Sequence, residues 1–277
     1  MATHLHWLTI VLVGLIVAGC NKATDDPTKQ ASDKGQVEKK SENQKPKDSP
    51  ANTFAGVADL SLTADELGKE QNKNEKGTQT KYKGKVIELT GIVLGMGRNL
   101  FLEPGITLKV KDEIVQLYLT ATDPRPWDKA LPGQRVKLKV IYQEREKGID
   151  TRLLGGPILE VTGKPTPTIT AEEMGKEYQK DPKEAEKKYR WSTYDQKPAL
   201  IITGEISEAM EGDGYTTVPV FYLKTGTKFK LKCGPDRESA RGLKPGMRVE
   251  ISGLCFGFED NKTDIKIVDC LVMKTLK

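Results

Sequence analysis

The chain has 277 residues, a formal net charge of +5 and a pI near 8.8. That length allows one or two domains, and 36% hydrophobic with 30% charged residues suits a soluble protein with modest cores. The charge is spread evenly, net +2 in residues 59–163 and net +2 in 164–277. Neither half has the basic excess of a dedicated polyanion binder.

The N-terminus, WLTIVLVGLIVAGC, holds a thirteen-residue apolar stretch at 7–19, shorter than the roughly 20 residues of a spanning helix. It has the length of a signal-peptide core, with small residues at Val17-Ala18-Gly19 before a cleavage point. Val17-Ala18-Gly19-Cys20 resembles the lipobox of bacterial lipoproteins. The resemblance implies cleavage between Gly19 and Cys20 and acylation (palmitate among the chains) of Cys20. The expected protein is exported and anchored in a membrane through lipid, the outer membrane where the cell has one, since Asn21 does not signal retention. Loss of residues 1–19 also removes His4 and His6, the only histidines. The mature chain then has no serine triad, Cys–His dyad or His-ligated metal.

Residues 21–53 contain no aromatic residue, one β-branched aliphatic (Val37), and charges of alternating sign. Such a segment buries too little apolar surface to offset its ordering entropy. Residues 20–58 are therefore expected to form the lipidated cysteine and a disordered tether.

The stretch LTADELGKE at 62–70 nearly recurs as ITAEEMGKE at 169–177. In each copy a Thr stands three residues before a Glu, Thr63/Glu66 and Thr170/Glu173, the spacing of a capping box. Leu62 with Leu67 and Ile169 with Met174 occupy the positions of a hydrophobic staple. The match continues through Glu70/Glu177 and Tyr82/Tyr189 at an offset of 107, then at 113 through Thr90-Gly91/Thr203-Gly204 and Pro132-Gly133/Pro245-Gly246. A constant offset on both sides of one insertion marks a duplication.

After each helix come five short β-branched runs separated by Gly, Pro, Asn and Asp. In the first copy they are 85–95, 99–110, 113–119, 134–142 and 151–161; in the second, 198–206, 216–224, 228–233, 247–256 and 264–273. About a hundred residues and five strands per copy fit a Greek-key barrel of the OB type. The expected fold is mainly β: two tandem OB-fold-like five-stranded barrels, 59–163 and 168–277, each behind a capped helix, with GKPTPT at 163–168 as a semi-rigid join. Gly91, Gly204 and Gly253 inside strand patterns suggest bends or bulges, and GMG at 95–97 a hairpin turn.

The order of capped helix, KYKGKVIELTG, PG turn, ISGLCFG and IVDCLV resembles the tRNA-anti-like family of OB-fold domains, in tandem, on a bacterial lipoprotein. The likeness to nucleic-acid-binding OB domains implies a binding module rather than a particular activity. Cys255 and Cys270 fall on adjacent strands of one hairpin, either as a cross-strand disulfide or as two small buried hydrophobes. With Cys233 they make an odd number and no C-x-x-C pair, so no metal and no cofactor are expected.

OB barrels bind ligands on the faces of their second and third strands. The best candidate patch is in the second copy, where Tyr215, Phe221, Tyr222 and Phe229 interleave with Lys228 and Lys230. Its alternation equally describes a solvated face opposite a core. Carboxylate pairs lie at helix starts and turns, and no phosphate loop follows a strand, so no enzyme is expected. The function expected is an interaction module for an envelope protein or glycan. The alternatives are single-stranded nucleic-acid binding through the second copy, and a spacer without ligand.

Overall fold

The computed structural model describes residues 54–98, 103–113, 116–143, 152–192, 195–210, 219–259 and 262–277. The expected signal peptide, Gly19, Cys20 and the expected tether up to residue 53 lie outside them, as does Tyr215, while residues 54–58 are ordered with Phe54 buried, which corrects their assignment to a disordered tether. The first repeat runs β1 (Leu60–Thr63), α1 (Ala64–Lys73), α2 (Glu75–Tyr82), β2 (Val86–Arg98), β3 (Pro104–Leu108), β4 (Leu117–Ala121), β5 (Arg135–Gln143) and β6 (Arg152–Thr162). The second runs β7 (Thr168–Thr170), α3 (Ala171–Lys180), α4 (Pro182–Tyr189), β8 (Leu200–Met210), β9 (Val220–Leu223), β10 (Lys230–Pro235), α5 (Arg237–Ala240), β11 (Arg248–Phe258) and β12 (Asp264–Leu276).

Each sheet closes on itself. The first has the order β1-β2-β3-β4-β6-β5 with β5 returning to β2, and the second β7-β8-β9-β10-β12-β11 with β11 returning to β8. In both, the third and fifth barrel strands run parallel, β4 with β6 and β10 with β12. This is the five-stranded OB closure, with a short parallel strand, β1 or β7, added at the edge.

The duplicated stretch answers to a close approach between helix and barrel. Thr63 and Thr170 cap α1 and α3 with complete capping boxes, and Leu67 and Met174 are fully buried beneath them. Ala64 and Ala171, at the first turn, press on the first barrel strand at Gly91 and Gly204. A Cβ on Gly91 would lie 2.8 Å from the Ala64 methyl, and one on Gly204 3.0 Å from that of Ala171. Both glycines stand in unbroken strand register, opposite Val136 and Val249. They make room for a helix and are not the bends expected of them. Gly253 does sit at a bulge. Gly95 and Gly97 lie inside β2 and not in a turn.

One turn further, Gly68 and Gly175 let the helix settle on the segment that follows the barrel's second strand. A Cβ there would come within 2.4 Å of Val110 Cγ2 or Thr225 Cβ. A carboxylate on α1 or α3 then latches the second helix. Glu70 accepts from Tyr82 Oη at 2.6 Å and Lys81 Nζ at 2.5 Å. Glu177 accepts from Tyr189 Oη and Lys188 Nζ, each at 2.8 Å. Lys188 first, then Tyr189, holds the Glu177 carboxyl below its ordinary value, against the opposing effect of burial. The single helix expected per repeat is thus a pair, broken where Asn74 and Asp181 end one helix and cap the next.

The copies differ by a reciprocal exchange. In the first, Tyr142 of β5 donates to Gln71 of α1 at 3.2 Å and stacks on Tyr82. In the second the aromatic comes from the helix, Tyr178, stacked on Tyr189, and the strand supplies Cys255, 3.5 Å from the Tyr178 hydroxyl. One large ring and one smaller polar side chain fill each site, with their positions traded. This places a cysteine in the second copy alone.

The barrels also pack on each other. Ile201, Leu271 and Met273 of the second repeat join the core of the first. Across the junction, Ala199 N donates to Leu94 O at 2.6 Å and Arg125 Nη2 to Met273 O at 3.1 Å. The 163–168 join is itself held, Thr166 N donating to Pro132 O at 2.7 Å.

Two outcomes are expected. Gly175→Ala should destabilise by about 1–2 kcal/mol in denaturant unfolding: overpacking costs about 1–3 kcal/mol, here about 2–3 because the neighbour is fixed, and the helix propensity gained returns about 1. Thr225 is buried and fixed by its bond to Phe229 O, so it cannot yield cheaply; an unchanged midpoint would contradict this. Glu177→Gln should cost about 0.5–1 kcal/mol, discounted for the pair's exposure. A carboxylate with a depressed folded pKa stabilises fully above its unfolded value and loses that contribution as pH falls through the folded one. The deficit of Glu177→Gln should therefore stand above pH 4.5 and close as the pH falls below it, measured by unfolding across that range.

Candidate interaction surfaces

The outer face of β8, β9 and β10 is where the candidate residues can be judged. Their alternation divides them cleanly. Phe221 and Phe229 are 1% and 6% exposed and belong to the core, which corrects their assignment as ligand contacts. Tyr222 is half-buried, while Lys228 and Lys230 are exposed on the outer face. Tyr222 stands between Glu208 of β8 and Lys232 of β10 in register.

That face supplies its own counter-charges. Lys230 Nζ donates to Glu208 Oε1 at 2.6 Å and lies 5.4 Å from the centroid of the Tyr222 ring. Lys232 Nζ donates to both oxygens of Glu259, at 3.0 and 2.8 Å, and Lys224 pairs with Glu205. Glu208 and Glu259 hold the Lys230 and Lys232 ammonium groups above their ordinary value. Lys228 lies 5.2 Å from the centroid of the Phe229 ring. A nucleic-acid platform needs cations free for phosphate and ring faces free for bases. Here three lysines hold carboxylates, and Lys230 lies over Tyr222 at cation–π distance.

Cys233, Cys255 and Cys270 are free and buried. Cys255 stands opposite Ile267, and a bulge at Asp269 (φ +50°) carries Cys270 out of that register. The two are not bridged, which corrects the reading that sets them face to face. Burial pushes the Cys233 thiol well up, with the Cys270 thiol beside it acting in the same direction. Burial likewise raises Cys255. Among the described residues no cluster of three His, Cys, Asp or Glu could hold a metal ion.

The sequence patch omitted two features. Glu208 reaches its lysine from β8 and Glu259 from just past the end of β11, pairings that no local pattern reveals. Trp191, just after α4, stacks on Phe256 of β11 with centroids 5.7 Å apart, leaving Phe256 41% exposed. The aromatic run LCFGF was its one signal.

The tRNA_anti-like family model matches residues 1–124, which take in the first repeat from β1 through β4. No curated protein sequence matches the chain. Among solved structures, a Klebsiella pneumoniae subsp. pneumoniae lipoprotein assigned as a candidate nucleic-acid binder is 15% identical. That match covers 40% of this chain and 92% of the other, with a TM-score of 0.31. A murine DNA binding protein bound to double-stranded DNA is 10% identical, with 68% and 96% coverage and a TM-score of 0.26. The tetrameric p202 HIN2 structure is 7% identical, with 71% and 95% coverage and a TM-score of 0.32.

Proposed function

We propose that this chain, whose first repeat is a tRNA_anti-like OB domain, is an exported lipoprotein anchored through Cys20 and acts without catalysis as a binding module. Its partner is another component of the cell envelope, a protein or a glycan. The observation that carries the choice of partner is the self-compensation of the second repeat's outer face, where Lys224, Lys230 and Lys232 each hold a glutamate. Such a face can accept neutral or mixed-charge surfaces at little electrostatic cost, whereas a polyanion would have to displace the carboxylates first. Anchoring rests on the Val17–Cys20 lipobox. Among the described residues no helix is long and apolar enough to cross a membrane.

The competing reading is single-stranded nucleic-acid binding through Tyr222, Lys228 and Lys230. Fluorescence anisotropy of labelled single-stranded DNA and RNA against the full chain in detergent, at low and near-physiological salt, separates the two. The expected result is no saturable binding at either salt. Saturable binding that weakens with salt and is lost in Tyr222→Ala/Lys230→Ala would overturn the proposal.

A further inference from the structure

The first barrel has an opening for which the sequence offers no motif. Strands β4 and β6 pair only over Leu119–Ala121 with Leu153–Gly155. Beyond that β4 ends, while β6 continues through Gly156, Pro157 and Ile158, with Ile158 still opposite Leu138 of β5. In the second barrel the matching pair reaches one residue further along the fifth strand, Pro235 opposite Cys270. Counted from the strand partners Leu138–Ile158 and Ile251–Val272, Gly156 corresponds to Cys270. The first repeat therefore lacks a side chain where the second has a buried thiol.

Phe54 takes that place. Its ring lies so close that a Cβ on Gly156 would come within 2.5 Å of it, and Phe54 is only 6% exposed. The residue precedes every element of the barrel and arrives on a segment laid across the opening from outside. Lys139 Nζ donates to Phe54 O at 2.9 Å and also to Gly56 O. Beside the ring is a cavity of about 610 Å³, reaching Ile106, Leu119 and Leu138, with Asp123 and Lys129 in its wall. Those two charges are paired at 2.5 Å, so the wall carries no net charge. This volume falls within the range of ligand pockets, about 300–1,000 Å³.

We propose that the cleft between β4 and β6 is a peptide-binding site, and that Phe54–Gly56 is its occupant in cis. Its ligand is an extended segment of a partner protein carrying an aromatic side chain and no charge next to it. Three features define this chemistry: an apolar hole floored by glycine, a lysine that binds two backbone carbonyls of the strap, and a wall without net charge. The partner's aromatic residue displaces Phe54 from the hole at Gly156 and reaches the cavity beside it, as peptides that dock beside open sheet edges do. The inference rests on the binding-module reading and assigns that module a site and a partner class.

The test uses the full chain in detergent and a fluorescein-labelled peptide of the strap sequence, TFAGVAD. Phe54→Ala should bind it saturably and at least tenfold more tightly than the unmodified chain, because a tethered Phe54 competes at an effective concentration in the millimolar range. Binding should vanish when the peptide's Phe is replaced by Ala, and in Phe54→Ala/Gly156→Val, where the valine fills the hole. No binding to Phe54→Ala, or binding indifferent to either change, would overturn the site. If circular dichroism shows Phe54→Ala unfolded, a peptide with benzophenone in place of the phenyl ring is photolysed on the unmodified chain in excess. Adducts within 121–126 or 155–158 support the cleft, and adducts elsewhere or none refute it. Failed peptide binding without nucleic-acid binding removes only the cleft, while salt-sensitive nucleic-acid binding removes the broader reading.

Discussion

Each repeat depends on one contact, the seating of an alanine at a helix start against a glycine in the first barrel strand. Ala64 on Gly91 leaves no room for a side chain on the strand, and Ala171 on Gly204 leaves almost none. The capping box fixes where the helix begins, so the alanine always arrives at the glycine. With the helix start fixed there, the second glycine, Gly68 or Gly175, meets the segment just after the next strand, and the carboxylate of Glu70 or Glu177 comes within reach of a tyrosine and a lysine on the following helix. The repeated stretch is thus a seat, a second contact and a latch within nine residues. Their spacing is constrained by the helical pitch, which explains why they persist together through the duplication.

Electrostatics and packing divide the surface differently between the copies. The second repeat closes its third and fifth strands further along and fills the matching position with Cys270. Its outer lysines are matched by glutamates from neighbouring strands. The first repeat opens at that position, has glycine there, and admits a ring from outside the barrel. Two copies of one fold thereby offer two kinds of surface, one charge-balanced and flat, the other apolar and recessed.

Much of this was legible in the sequence, for identifiable reasons. All ten barrel strands follow from alternation and turn residues, and both helix starts from Thr–x–x–Glu spacing. What escaped depends on partners distant in the chain. Gly91 in an isolated strand looks like a bend, and only the helix start 27 residues earlier shows that it is a space. Phe221 and Phe229 alternate with lysines just as ligand-facing residues would, and barrel closure alone assigns them to the core. The break between paired helices is written by a single Asn or Asp each time. Phe54, next to a polar tether, gives no signal of the hole it fills.

Both seats support one cooperative body, since Ile201, Leu271 and Met273 complete the first barrel's core. Native-state hydrogen exchange at Leu89 of β2 and Ile202 of β8 tests it most directly. The two amides should open with the same free energy, and Gly175→Ala, although confined to the second repeat, should lower both equally. A loss at Ile202 with Leu89 unchanged would mean that the barrels fold independently, and would contradict the account.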